Sequence, residues 1–412
     1  MAVQHTTDGK GSGAGSPLPK LCDAGHVLFI TSSYLKPTGS AVNMKNLLAQ
    51  FDPESYTLVV SDLRGPTSSQ PGPGIKLHAL DVRVPDFVPG RWKHLWKQYE
   101  PFIPSRIKRL AKSLSPAAIV GVYTDLEFLH FARRTARDLR IPWVAYIGDS
   151  IIEALQHTKY AGWAKTLQSQ VFSEASSIFV AGNFAKHFTD KYGAVCKPFP
   201  VGYPEPIPTE LPEDRDLLRQ AFMGGGIYAV NARSTKRVLI ALEEAKCPCV
   251  LATTSSDEIL NRYGIPGKLF RKEFIGDRAA YLETLKRQGV LVVLMDWPDE
   301  SEFREEQLEN TFPTRAVEYL ASGRPILVHC PEHYFLARFF REHKCGLVVS
   351  ERDQKALVDA VNRLLQGDDE VIEMRKAALA AAQLFSLDRL APLFSSEVNA
   401  VARLSWGEKV PA

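Results

Sequence analysis

Residues 312–327 read Phe312-Pro313-Thr314-Arg315-Ala316-Val317-Glu318-Tyr319-Leu320-Ala321-Ser322-Gly323-Arg324-Pro325-Ile326-Leu327. Pro313 suits the first turn of a helix, where its missing N–H is not needed. The spacing predicts a helix over 314–321, stopped by Gly323, with Pro325 opening a strand over 325–329. Arg315 and Glu318 stand three apart and share one face. A helix N-terminus facing a cleft is an anion seat, and Arg315 there adds a two-pronged grip on phosphate. Glu318, one turn in, suits a pair of ribose hydroxyls. The same spacing also fits an ordinary amphipathic helix carrying an Arg–Glu pair.

The loop–helix–stop–strand unit repeats in both directions. Toward the N-terminus, short apolar runs predict strands over 26–31, 56–60, 75–80, 117–122, 142–147 and 177–181. Helices fall between them over 41–51, from a cap at Ser105 to Leu114, over 128–139, as one stretch over 150–173, and over 184–192 before Gly193. Residues 197–208 hold five prolines and read as a stiff connection. The alternation then restarts with a strand over 221–223 before Gly224-Gly225-Gly226. Helices over 234–245, 278–287, 333–342 and 354–365 alternate with strands over 250–253, 290–295 and 347–349, and 371–404 reads as mainly helical. Strands alternating with helices predict an α/β class with parallel sheets and ligand loops along one sheet edge.

The chain has 412 residues, of which 45% are hydrophobic, and Lys+Arg 50 against Asp+Glu 47 leaves a net charge of +3. That mixture excludes a chain disordered throughout and speaks against a dedicated nucleic-acid binder. No apolar stretch reaches the ~18 residues of a membrane span. Residues 1–20 lack the apolar core of a signal peptide, which predicts a cytoplasmic protein with a flexible tail. The six cysteines form no Cys-x-x-Cys pair and read as buried free thiols, with no metal site.

The 312–327 block resembles the donor-site motif of GT-B glycosyltransferases similar to the family 4 (group 1) enzymes, where Pro-x-Lys/Arg-x-x-Glu-Tyr-Leu/Met-Ala-x-Gly-x-Pro recurs. Residues 222–228, 290–298, 177–193 and 382–386 resemble further segments of that family in the same order. The resemblance implies two Rossmann-like domains facing a central cleft, with a C-terminal helix crossing back to the N-terminal domain. The implied division is a disordered tail over 1–23, an acceptor-side domain over 24–200, a donor domain over 201–380 and the returning helix over 381–412. It implies a hexosyltransferase of polysaccharide biosynthesis that uses a nucleotide-diphosphosugar, needs no cofactor or metal, and passes the sugar to a glycan or lipid-linked acceptor with retention.

On that resemblance Glu318 holds the ribose, while Arg315 and the turn at Gly225-Gly226 lie by the diphosphate. Arg233 and Lys236 are the nearest match to the family's basic pair, and both also fit a solvated helix start. Gly39 and Ser40, in the loop after the first strand, let the backbone approach the donor phosphates or make a plain turn. Many family members carry a second Glu eight positions before the first; here that position is Asn310, with Glu309 beside it, which leaves the hexose contact open. Asp149, after the fifth strand, either orients or deprotonates an acceptor hydroxyl or caps the next helix.

The basic aromatic run over 91–97 and the cations over 106–112 suit an anionic membrane surface at the inner face of the membrane, or a solvated face. Two other functions compete: a nucleotide-sugar epimerase or hydrolase of GT-B fold, and a non-catalytic GT-B-like binding subunit. The sugar, base, acceptor and linkage leave no mark in the sequence.

Overall fold

A computed structural model describes residues 17–32, 34–35, 39–61, 74–81, 89, 92–93, 95–96, 102–123, 125–155, 157–213 and 217–411. Among these residues two parallel sheets form. The first contains β1 (Val27–Ile30), β2 (Tyr56–Ser61), β3 (Lys76–Leu80), β4 (Ala118–Tyr123), β5 (Trp143–Ile147), β6 (Ser177–Val180) and β7 (Lys197–Pro198). Their order is β3-β2-β1-β4-β5-β6-β7. The second contains β8 (Leu218–Gly224), β9 (Cys249–Ala252), β10 (Arg271–Glu273), β11 (Gln288–Leu294), β12 (Ile326–His329) and β13 (Leu347–Val349). Their order is β10-β9-β8-β11-β12-β13.

Both orders reverse at a central strand: β1 pairs with β2 and β4, and β8 pairs with β9 and β11. Such reversals open a crevice beyond the carboxyl ends of the strands. β1 and β2 are buried at every position, as continuous apolar runs in a parallel sheet require, whereas the edge strand β3 is largely exposed. Helices cover both faces of each sheet. Trp143, Ile119, Phe128 and Leu167 fill one side of the first, and Phe222, Leu291, Tyr319 and Phe340 one side of the second.

The returning tail ties the halves together. Tyr203 donates its N–H to the carbonyl of Phe385, and Leu387 returns one to Tyr203. The crossing is tight at Gly202, where an added Cβ would stand 2.3 Å from the Leu387 side chain, so only glycine fits. The helix Leu387–Ala402 then lays Leu390, Phe394, Val398 and Val401 on the first sheet. Phe394 stacks with Phe29 at 6.3 Å and Phe179 at 5.5 Å. Burying one such ring is worth about 2–3 kcal/mol.

Several elements differ from the sequence reading. Residues 1–16 of the expected tail lie outside the described residues, but Leu21 and Cys22 are buried against β1 and the returning helix. The helix read from Ser105 begins at Phe102, because Pro104 is tolerated in its first turn. The single helix read over 150–173 is two, Ile152–Leu155 and Ala161–Glu174. The strands β7 and β10, two and three residues long, are too short for periodicity to reveal. Gly193, Gly323 and Gly367 end their helices at φ of 64°, 63° and 66°. All six cysteines are free, and Cys196 alone among them is not fully buried.

Candidate active site in the cleft

The loops after β8 and β11 of the second half meet those after β5 and β6 of the first. Gly224 ends β8. Its N–H donates to Tyr319 Oη at 2.8 Å, and its carbonyl accepts from Arg315 Nη1 at 2.7 Å. Tyr319 and Arg315 both lie on the helix Thr314–Ser322, so that helix grips the glycine turn at two points. Gly225 has φ of +101°, and an added Cβ would stand 2.7 Å from Arg315 Nη1. Gly226 leaves open space: an added Cβ there would meet only the Tyr228 ring, at 3.8 Å. Arg315 Nε is buried without a partner. A guanidinium beside an open glycine backbone is a seat for a phosphate group.

Glu318 accepts from Arg278 Nη1 at 2.8 Å, and Arg278 also forks onto Glu205 of the connection. These pairs hold the Arg278 guanidinium firmly protonated. Glu318 and Arg278 line a small cavity shared with Val42, Asn43 and Asn46 of the first helix in the chain. Glu318 therefore faces the N-terminal half. Gly39 and Ser40 open that same helix, Gly39–Leu48, and Lys36, Pro37 and Thr38 lie outside the described residues.

Asp149 follows β5. It accepts from the N–H of Ser150 at 2.7 Å and from Gln307 Nε2 of the other half at 3.2 Å. Burial pushes its carboxyl up to about 6, although the two hydrogen bonds pull the other way and nearby Glu153 adds to the rise. Tyr228 is raised by burial, with Arg315 lowering and Asp149 raising it further, so both charges are felt at one hydroxyl. Asp149 thus meets the second half through Gln307, and Arg315 lies on a helix of that same half.

Asn310 is spent on docking the halves. Its Oδ1 accepts from Asn183 Nδ2 at 2.9 Å, its Nδ2 donates to the carbonyl of Glu306 at 2.7 Å, and its carbonyl takes the N–H of Asn183 at 3.0 Å. Gly182 permits this contact, since an added Cβ would stand 2.5 Å from the Asn310 carbonyl oxygen. Glu309 turns away to Arg338, 3.6 Å distant.

Arg233 and Lys236 lie near the start of the helix Ala232–Glu244, which follows the glycine turn. The start of the helix Ala232–Glu244 is already occupied by Asp296, which accepts from the N–H groups of Arg233 at 3.0 Å and Ser234 at 2.6 Å. Arg233 is exposed, and Lys236 Nζ lies by Gly264, 3.4 Å from where a Cβ would stand. Among the described residues no three His, Cys, Asp or Glu side chains are grouped as a metal site. The residues missed in the sequence are Glu205, Arg278, Gln307 and Tyr319. The first three are joined to the site only through the fold, while Tyr319 stood inside the quoted block.

Residues 261–383 match the model of the family described as glycosyl transferases group 1. No curated protein sequence matches the chain. Among solved structures, sucrose-phosphate synthase from Thermosynechococcus elongatus aligns with a TM-score of 0.62 at 13% identity, covering 90% of this chain and 98% of that one. HepE from Anabaena, solved in complex with UDP-glucose, aligns at 0.63 and 13%, covering 90% and 98%. WaaG, a glycosyltransferase involved in lipopolysaccharide biosynthesis, aligns at 0.59 and 12%, covering 90% and 99%.

The fold is GT-B. The GT-B halves are the two sheets, their crevices face each other, and the Leu387–Ala402 helix is the segment that returns to the first. The family match covers the Thr314–Ser322 helix with Arg315 and Glu318. Asp149, Gly39 and Ser40 lie in the other GT-B half, outside the matched residues.

Proposed function

We propose that the protein is a glycosyltransferase that moves a hexosyl group from a nucleotide-diphosphosugar to a hydroxyl of a glycan or lipid-linked acceptor in polysaccharide biosynthesis, with retention and without a metal ion. The observation that carries this reading is Arg315 held against the open turn Gly224-Gly225-Gly226. There the guanidinium and backbone amides would meet the charge that develops on the leaving diphosphate. Glu318, one turn along, would take the ribose hydroxyls while Arg278 keeps Glu205 as its partner. Because HepE was solved with UDP-glucose, uridine donors are the first to test.

In the reaction the bond from the anomeric carbon to the diphosphate oxygen breaks, and the acceptor oxygen takes its place. The acceptor proton passes to Asp149, whose carboxylate is available above about pH 6. Asn310 serves as a positioning residue that seats one half on the other. Retention is carried by the resemblance of the 312–327 block, and the anomeric configuration of the product tests it.

The same commitment of Asn310 to docking favours a second reading, a GT-B-shaped binding subunit without turnover. A donor screen by mass spectrometry separates the readings. A sugar transferred to an acceptor supports the transferase, free sugar from donor alone supports a hydrolase, and binding without product supports the subunit.

We further propose a peripheral contact with an anionic membrane at the cytoplasmic face. Among the described residues no helix is long and apolar enough to cross a membrane. The helix Phe102–Leu114 turns Phe102, Arg106, Arg109 and Lys112 outward, with Phe102 68% exposed, and Trp92 of the 91–97 run is 50% exposed. Arg91, His94 and Lys97 lie outside the described residues. Sedimentation with anionic but not zwitterionic vesicles is the expected result, and equal behaviour with both would remove the proposal.

A further inference from the structure

A cavity of about 640 Å³ lies in the N-terminal half, apart from the cleft. The cleft is built by loops at the carboxyl ends of the strands. This cavity opens mainly at the other edge, between the end of the helix Ala161–Glu174, the start of β6 and the turn into β7. Residues Lys409 and Val410 close it as a strap: Val410 donates its N–H to the carbonyl of Ser176 at 2.9 Å. The volume falls within the ~300–1,000 Å³ of small-molecule sites.

The walls are largely apolar, with lysines at the rim. Phe172, Ile178 and Val195 supply apolar surface, and Val195 is 62% exposed. Lys409 spends two of its ammonium N–H groups on the carbonyls of Phe172 at 2.9 Å and Ala175 at 2.7 Å. Among the described residues it has no carboxylate partner, and neither does Lys165 on the same wall. The nearby Cys196 thiol is pushed up to about 12 by burial and supplies no counter-charge.

We propose that this cavity binds a small anionic amphiphile, an acyl carboxylate. Its apolar body lies over Phe172, Ile178 and Val195, and its carboxylate meets Lys409. The site is separate from the donor cleft, so its test stands or falls apart from the glycosyltransferase reading.

The probe is N-dodecanoylglycine, titrated into the full chain by calorimetry below its micelle concentration. The expected result is binding at one site per chain. Its methyl ester, which lacks the charge, should bind at least tenfold more weakly, and Lys409→Gln should erase that difference. Val195→Asp, a change at an exposed position, should abolish binding with the melting temperature and nucleotide binding at the cleft unchanged. Absence of binding to the folded wild type, or binding unmoved by both Lys409→Gln and Val195→Asp, would overturn the proposal.

Discussion

Arg315 donates from Nη1 to the carbonyl oxygen of Gly224 at 2.7 Å, across 91 residues of chain. The contact fixes the charged end of one helix over the turn that closes β8. It also explains why the next residue is glycine, since a Cβ on Gly225 would intrude on the same guanidinium.

Gly225→Ala should therefore act on binding more than on folding. The backbone strain at φ of +101° costs on the order of 1 kcal/mol, a drop of a few degrees in melting temperature. Displacement of Arg315 should lower donor affinity at least tenfold by calorimetry. Unchanged affinity would separate Arg315 from the donor.

Glu318→Ala should lose donor affinity at least tenfold and stay folded. Arg278 is 37% exposed and keeps its fork on Glu205, so the lost pair is worth about 1 kcal/mol or less. A melting curve and a nucleotide titration on one sample check both halves of this statement.

Asp149 sets a pH dependence. With its carboxyl pushed up to about 6, kcat/KM should fall as pH drops through that value, because the protonated acid accepts no proton. Asp149→Asn should lower kcat/KM at least a hundredfold, flatten the profile, and leave nucleotide affinity intact. A variant that keeps the acidic limb would exclude Asp149 as the base.

Glu153 should govern acid stability. It is 3% exposed and accepts from His187 at 2.9 Å, Lys191 at 3.0 Å and Tyr192 at 2.8 Å. Burial alone would raise its carboxyl, but these donors outweigh it and bring it from 4.5 down to about 2. A lowered folded value adds stability that is present above 4.5 and is lost as pH falls toward 2, here about 3 kcal/mol. Glu153→Gln should be less stable than the wild type at pH 7, with the gap closing below pH 4. Denaturant melts at both pH values measure it.

The alternation of strands and helices was legible because most buried strands are short apolar runs and several helices end on a glycine, at Gly193, Gly323 and Gly367. Glu318 and Arg315 were legible because a helix places them on one face. What sequence spacing could not show is pairing across the fold. Glu205, Arg278 and Glu318 are separated by 73 and 40 residues along the chain. Arg233 and Lys236 were matched to the family's basic pair by position alone, and spacing could not show that the buried carboxylate of Asp296 takes the N–H groups at that helix start. Asn310 looked like a departure at a catalytic position, and its neighbours explain it physically: the amide bridges Asn183 and Glu306 where the halves dock. The 640 Å³ cavity was invisible for a related reason, since its walls come from residues 152 to 197 and from 409 to 410.

Titration of UDP, GDP and their sugars into the folded wild type and into Arg315→Ala is the most direct measurement, with mass spectrometry of the products. At least one diphosphosugar should bind the wild type, bind Arg315→Ala at least tenfold more weakly, and yield a glycosylated acceptor. No binding by any donor, or binding that Arg315→Ala leaves unchanged, would contradict a donor seated between Arg315 and the Gly224-Gly225-Gly226 turn.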